Sequence, residues 1–153
     1  MKRGQWIAAI LMAIVLVILG GFRDILFVNI NEQIAYNDGL IENYRVLEQF
    51  DFLNNYDSPA LNQVKWILTI LFTVVYLGLS MITFRMILKD MKGSLWILYF
   101  YLSAFAIAGV IFIAGWLFNE PELGYTLSRV VMGALQSPFP LMLMIPARML
   151  VVR

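Results

Sequence analysis

The run Tyr125-Thr126-Leu127-Ser128-Arg129 is followed by a small-residue turn from Val130 to Leu135 and a break at Gln136-Ser137-Pro138-Phe139-Pro140. The apolar stretch Leu141 to Ile145 and Pro146 complete the segment whose reading decides how the chain is built. It is apolar enough to cross a bilayer, yet it holds an arginine, a glutamine and three prolines. Each proline removes a backbone donor, and a carbonyl left without one in hydrocarbon costs several kcal/mol. The segment Glu122 to Arg153 therefore belongs against protein or a wet cavity rather than bare lipid.

Composition agrees with a membrane chain. Of 153 residues 61% are hydrophobic and only 14% charged, where soluble domains carry about a quarter charged residues. Mean hydropathy is +0.80. Cysteine and histidine are both absent, which removes thiol nucleophiles, disulfides, thiolate or imidazole metal sites and the commonest general base.

Working back from the last span, Ser94 caps a span from Leu95 to Phe118 that ends in Asn119-Glu120-Pro121. Its first half is aromatic, with Trp96 and Tyr99 suited to an interfacial belt. Its Ala104, Ala108 and Gly115 fall at spacings that let another helix approach. Ser58-Pro59 is a helix start, serine as cap and proline at the first helical position. No strong break then appears before Gly93, so one helix to Asp90 reaches roughly 45 Å, longer than the hydrocarbon core. The first span opens after Lys2 and Arg3, and Ala9, Ala13 and Gly20 give it a narrow face. Signal-peptide cleavage wants small residues at the last and third-last positions. Ile18, Leu19, Gly20 and Gly21 fit that poorly, so the span is expected to be retained.

Between Arg23 and Gln63 lie seven acids, Asp24, Glu32, Asp38, Glu42, Glu48, Asp51 and Asp57, against Arg23 and Arg45. Leu40, Tyr44, Leu47 and Phe50 recur at spacings of four, three and three, which predicts a short amphipathic helix over Leu40 to Leu53 capped by Asn37 or Asp38. Its apolar face covers this protein's own spans or meets a partner.

Charge sets the expected orientation. Lys2, Arg3, Arg85, Lys89, Lys92, Arg148 and Arg153 share one side with Asp90, while the other side holds four bases and nine acids. Positive residues mark the cytoplasm. The expected fold is an all-α integral membrane protein, a single domain over 1–153 with four transmembrane helices at about 5–22, 64–86, 95–118 and 125–150. Both termini are expected to be cytoplasmic, with the amphipathic helix in an outer loop over 23–63.

Tyr125-Thr-Leu-Ser-Arg129, Gln136-Ser-Pro-Phe-Pro140, Ile145-Pro-Ala147 and the start Leu61-Asn62-Gln63-Val64-Lys65-Trp66 resemble the small membrane proteins encoded beside exosortases in Gram-negative bacteria. Size, span count and the acidic outer loop are similar too. The resemblance implies an inner-membrane location and a place beside a membrane-embedded transpeptidase that processes carboxy-terminal sorting signals. That enzyme family works with a cysteine and a histidine, and this chain has neither.

The residues themselves carry no catalytic pattern. No carboxylate falls inside an apolar run, no calcium-loop spacing occurs, and no glycine-rich phosphate loop or nucleic-acid motif is present. The expectation is a non-catalytic accessory or assembly subunit of a membrane complex. It needs no cofactor or metal; its partners are the bilayer and a larger, exosortase-like membrane protein. A small transporter or channel component is the alternative, since an intramembrane arginine and a proline-broken helix also suit one. Arg129, Met132, Gly133, Gln136 and Pro140 fall at helical spacings on one face. The expected partner contacts are Arg129, Gln136, Ser137, Pro138 and Pro140 on the last span, and Tyr44 and Leu47 on the outer helix.

Overall fold

A computed structural model of the chain describes residues 3–43, 46–88 and 94–151. Tyr44, Arg45 and the basic connection containing Lys89, Asp90, Lys92 and Gly93 lie outside the described residues. The described residues are helical with no strand: α1 (Arg3–Asn37), a 3₁₀ helix (Glu48–Asn55), α2 (Ser58–Leu88), α3 (Ser94–Leu117), α4 (Pro121–Leu135) and α5 (Phe139–Val151). Ile10–Asn37, α2 and α3 are each long and apolar enough to cross a membrane, and α4 with α5 passes the same test as one span bent by 61°. The chain is an all-helical, multi-pass membrane protein.

The first helix does not stop near Phe22. Nothing between Gly21 and Gly39 breaks it, and it runs to Asn37, taking in residues expected to belong to the outer loop. It ends where Gly39 turns left-handed at φ +70°. There the Leu40 amide donates to the Ala35 carbonyl at 2.9 Å and the Gly39 amide to Tyr36 at 3.1 Å, a glycine-closed helix end.

That ending corrects the predicted amphipathic helix over Leu40 to Leu53. Leu40 lies 76% exposed beyond the turn, and helical structure resumes only at Glu48, in the tighter 3₁₀ form. Tertiary burial decides the conformation here rather than the leucine spacing. Val46 and Leu53, not Leu40 and Leu47, enter a core with Ile30 and Leu61, with Leu26, Ile34, Phe50 and Leu68 packed around it. Asn37 and Asp38 close other contacts instead of capping: Asn37 Nδ2 donates to the Tyr56 carbonyl at 3.0 Å, and Ser58 Oγ donates to Asp38 Oδ1 at 2.5 Å. Asp57, one residue earlier than expected, caps α2 by accepting the Ala60 amide at 3.1 Å.

The chain divides into two compact units. Ile18–Phe72 holds the core just described and is fastened by buried amides. Asn29 Oδ1 accepts the Leu47 amide at 2.8 Å while its Nδ2 donates to the Ile25 carbonyl at 2.7 Å, and Gln33 Nε2 donates to Asn37 Oδ1 at 2.8 Å. Arg23 pairs with Asp24 at 3.5 Å and lies over the Phe27 ring at 5.8 Å.

The other unit comprises Met1–Val17 and Thr73–Arg153. Here α2 buries Tyr76, Ser80, Thr83 and Phe84, α3 buries Ser94, Ile97, Tyr101 and Ala108, and α4 buries Gly124, Ser128 and Leu135. The helices α3 and α4 form a hairpin. Asn119 takes the left-handed conformation at φ +61°, the Glu120 amide donates to the Gly115 carbonyl at 2.8 Å, and Pro121 starts α4. Just beyond the turn the backbones touch. A Cβ added at Gly115 would fall 2.5 Å from the Gly124 Cα, and one at Gly124 would fall 2.7 Å from the Gly115 Cα. The expected α3 packing seam is realised through Gly115 and Ala108. On α1, Ala13 is exposed instead.

Candidate functional site

The break between α4 and α5 gathers polar groups within an apolar segment, and its chemistry follows from where proline stands. In an unbroken helix the Ala134 carbonyl would accept the amide of residue 138, and the Leu135 carbonyl that of residue 139. Pro138 has no amide hydrogen. Ser137 Oγ takes the place of that donor, bonding the Ala134 carbonyl at 2.7 Å, and it also accepts the Phe139 amide at 3.2 Å. The Leu135 carbonyl, deprived of Phe139, accepts the Tyr101 hydroxyl from α3 at 2.9 Å. The Gln136 amide reaches back to the carbonyls of Met132 at 3.1 Å and Gly133 at 3.2 Å. All four terminal carbonyls of α4 thus have donors.

The start of α5 is closed in the same way. Pro140 has no donor to satisfy, and the amides of Leu141 and Met142 both reach the Pro138 carbonyl at 3.1 Å. No amide of this half-helix faces outward to hold an anion, which is how broken helices bind substrates in many transporters.

Two side chains of α2 complete the arrangement. Ser80 Oγ lies 3.3 Å from the Tyr101 hydroxyl. The phenol proton already goes to Leu135, so Ser80 is the donor in this pair. Gln136, 3% exposed, donates through Nε2 to Thr73 Oγ1 at 2.8 Å. One turn along α2, Tyr76 donates its hydroxyl to the Leu16 carbonyl at 2.9 Å.

The residues expected along one stripe are separated by this geometry. Gln136 and Pro140 are buried, Ser137 and Pro138 are partly buried at the break, and Arg129 is exposed on α4. Gln136 leaves helical geometry, with φ −93° and ψ 39°, so the helical period linking it to Arg129 does not continue to Pro140. Gln136 meets α2 of its own chain through Thr73. On the segment between α1 and α2, Leu47 is 51% exposed.

Sequence reasoning missed Tyr101, Ser80, Thr73 and Gly124. The signals were present: Thr73, Tyr76, Ser80 and Thr83 recur every three or four residues on one face of an apolar helix. Gly115 and Gly124 stand at near-equal distances on either side of Asn119-Glu120.

An open polar cleft lies in the other unit, lined among others by Asn37, Asp38, Asn54, Tyr56 and Asp57. Asn37, Asp38 and Asp57 are already engaged there with neighbouring groups. Among the described residues no group of three acidic side chains is placed to hold a metal ion. In comparisons with known proteins the chain matches no family model, no curated protein and no solved structure.

Proposed function

We propose that the chain is a non-catalytic accessory or assembly subunit of a bacterial inner-membrane complex, standing beside an exosortase-type protein-sorting transpeptidase. In this reading both termini are cytoplasmic, and the segment from Gly39 to Asp57 faces the outside. The observation that carries it is the display of Leu47 and Phe52. These residues are 51% and 55% exposed on a segment outside the apolar spans, flanked by Glu48 and Asp51. Exposure on a loose loop would mean little. This segment is held from beneath by buried Val46 and Leu53 and by the Leu47 amide bonded to Asn29. A fixed apolar surface in water marks an interaction site, here Leu47 and Phe52.

The inventory supports the same class. The chain has no cysteine or histidine, so a transpeptidase of the implied kind would be the companion. The polar groups of the α4–α5 break serve one another, which favours a scaffold over a small transporter or channel component. In that scaffold Gln136, Ser137, Pro138 and Pro140 set the shape of the last span, and a companion meets that shape rather than their polar atoms.

The test is isolation of the intact complex from its native membrane, with companions identified by mass spectrometry. A larger membrane protein containing cysteine and histidine, retained by the unaltered chain and lost in Leu47→Glu with Phe52→Glu, is the expected result. Ion or solute flux by the pure protein in liposomes, with no companion, would replace this reading by the transporter one.

A further inference from the structure

Among the described residues every serine and threonine hydroxyl takes part in a hydrogen bond except that of Thr126. Arginine shows the same exception three residues on. Arg23 pairs with Asp24, Arg85 donates to Ser94 at 3.1 Å and Arg148 is engaged, whereas Arg129 makes no hydrogen bond, ion pair or ring contact among the described residues. The Tyr125 hydroxyl is in the same condition. Tyr125, Thr126 and Arg129 are all exposed, and their spacings of four and three place them on one face of α4. Glu122, exposed as well, is one turn nearer the α3–α4 turn.

That end of the hairpin has the character of a membrane–water boundary. Trp116 and Phe118 are 74% and 79% exposed beside the polar Asn119-Glu120. Arg129 stands eight residues beyond Pro121, about 12 Å along the axis at 1.5 Å per residue. Helical side chains lean toward their own N-terminus, here toward the boundary, and arginine's long stem lets its head rise to the level of Tyr125 and Thr126. From the boundary inward the face presents a carboxylate, two hydroxyls and a guanidinium.

We propose that this face is a binding site for an aminophospholipid headgroup. The phosphodiester oxygens accept from the Arg129 guanidinium and the hydroxyls of Thr126 and Tyr125, and the ammonium pairs with Glu122. Arginine's planar fork suits phosphate oxygens. Charge order selects the occupant. A carboxylate from another membrane helix would satisfy Arg129 but meet repulsion from Glu122, while a zwitterion answers both charges.

Native mass spectrometry of the intact protein, reconstituted with equal parts of phosphatidylethanolamine, phosphatidylglycerol and phosphatidylcholine, tests this. The unaltered protein should retain phosphatidylethanolamine preferentially. Arg129→Leu should lower its retention about tenfold, the scale of one lost charge-assisted hydrogen bond. Glu122→Gln, whose surface position spares the fold, should erase the preference over phosphatidylglycerol while phospholipid is still bound, and Val130→Ala should change nothing. Equal retention of the three lipids by the unaltered protein would overturn the proposal. So would undiminished retention by a folded Arg129→Leu protein, or a protein rather than a lipid cross-linked to a photoreactive residue at Thr126. None of these readouts depends on a companion protein, so the site stands or falls separately from the accessory-subunit reading.

Discussion

Removing one oxygen, in Tyr101→Phe, isolates the bond that closes the α4–α5 break. The phenylalanine keeps the ring, so no sizeable cavity forms, and the change falls on two hydrogen bonds. The Ser80 hydroxyl loses an acceptor 3.3 Å away but can rotate toward a helix carbonyl, so its share is small. The Leu135 carbonyl has no such recourse. Its partner at 2.9 Å is gone, Pro138 has no hydrogen to offer, and the Phe139 amide is held by Ser137. With Leu135 and Tyr101 both buried, water does not stand in, and an orphaned buried acceptor costs about 1–3 kcal/mol. Hydrogen bonds between transmembrane helices average about 0.6 kcal/mol because alternatives usually exist. Proline removes the alternatives here, so the value should lie near 2 kcal/mol, a fall of roughly 4–8 °C in the thermal midpoint of a chain this size. The assay is thermal unfolding in mild detergent followed by the monodisperse fraction. Tyr99→Phe serves as control, since that phenol is exposed. A Tyr101→Phe midpoint equal to that of Tyr99→Phe would refute the reasoning.

Other perturbations act on separate contacts. Gly124→Ala puts a Cβ against the Gly115 backbone, where no side chain can move aside. It should destabilise by about 1–3 kcal/mol in the same assay, whereas Gly109→Ala, into open space, should not. Asn29→Ala removes the acceptor of the Leu47 amide, and faster hydrogen exchange at Leu47 with little change at Leu135 is the expected local signature. Asp57→Ala deletes the cap of α2 and should cost about 1 kcal/mol, while Ser58→Ala, at a residue that does not cap, should cost less. For topology, an impermeant thiol reagent on whole cells should label Asn43→Cys and spare Gly93→Cys, and the reverse pattern would invert the orientation.

What the sequence disclosed depended on whether a residue's chemistry had one consequence or several. Proline at 138 and 140 can only break a span, and the break lies where it was expected, down to the serine beside it. The extents of α2 and α3 were legible too, whereas α1 runs past Phe22 to Asn37, through residues expected in the outer loop. Leucines at Leu40 and Leu47 have several possible fates, and their helical spacing was overridden by a glycine-closed helix end and by burial of Val46 and Leu53. Asn29 and Gln33 fell within the expected outer loop, where nothing local distinguishes a surface amide from one that fastens a loop. Tyr101 belonged to an aromatic run whose other members suit a membrane boundary. That carbonyls around the break would need neighbours followed from its prolines, but that Tyr101 would serve Leu135 depended on how α3 packs, which no local pattern encodes.

The accessory-subunit reading is tested at the surface that would carry it. A photoreactive amino acid placed in turn at Leu47, Phe52 and the buried Leu53, in cells of the native host, should yield on irradiation one discrete adduct with a larger membrane protein from the two exposed sites and none from Leu53. Absence of any protein adduct at Leu47 and Phe52, with the chain folded and inserted, would contradict it.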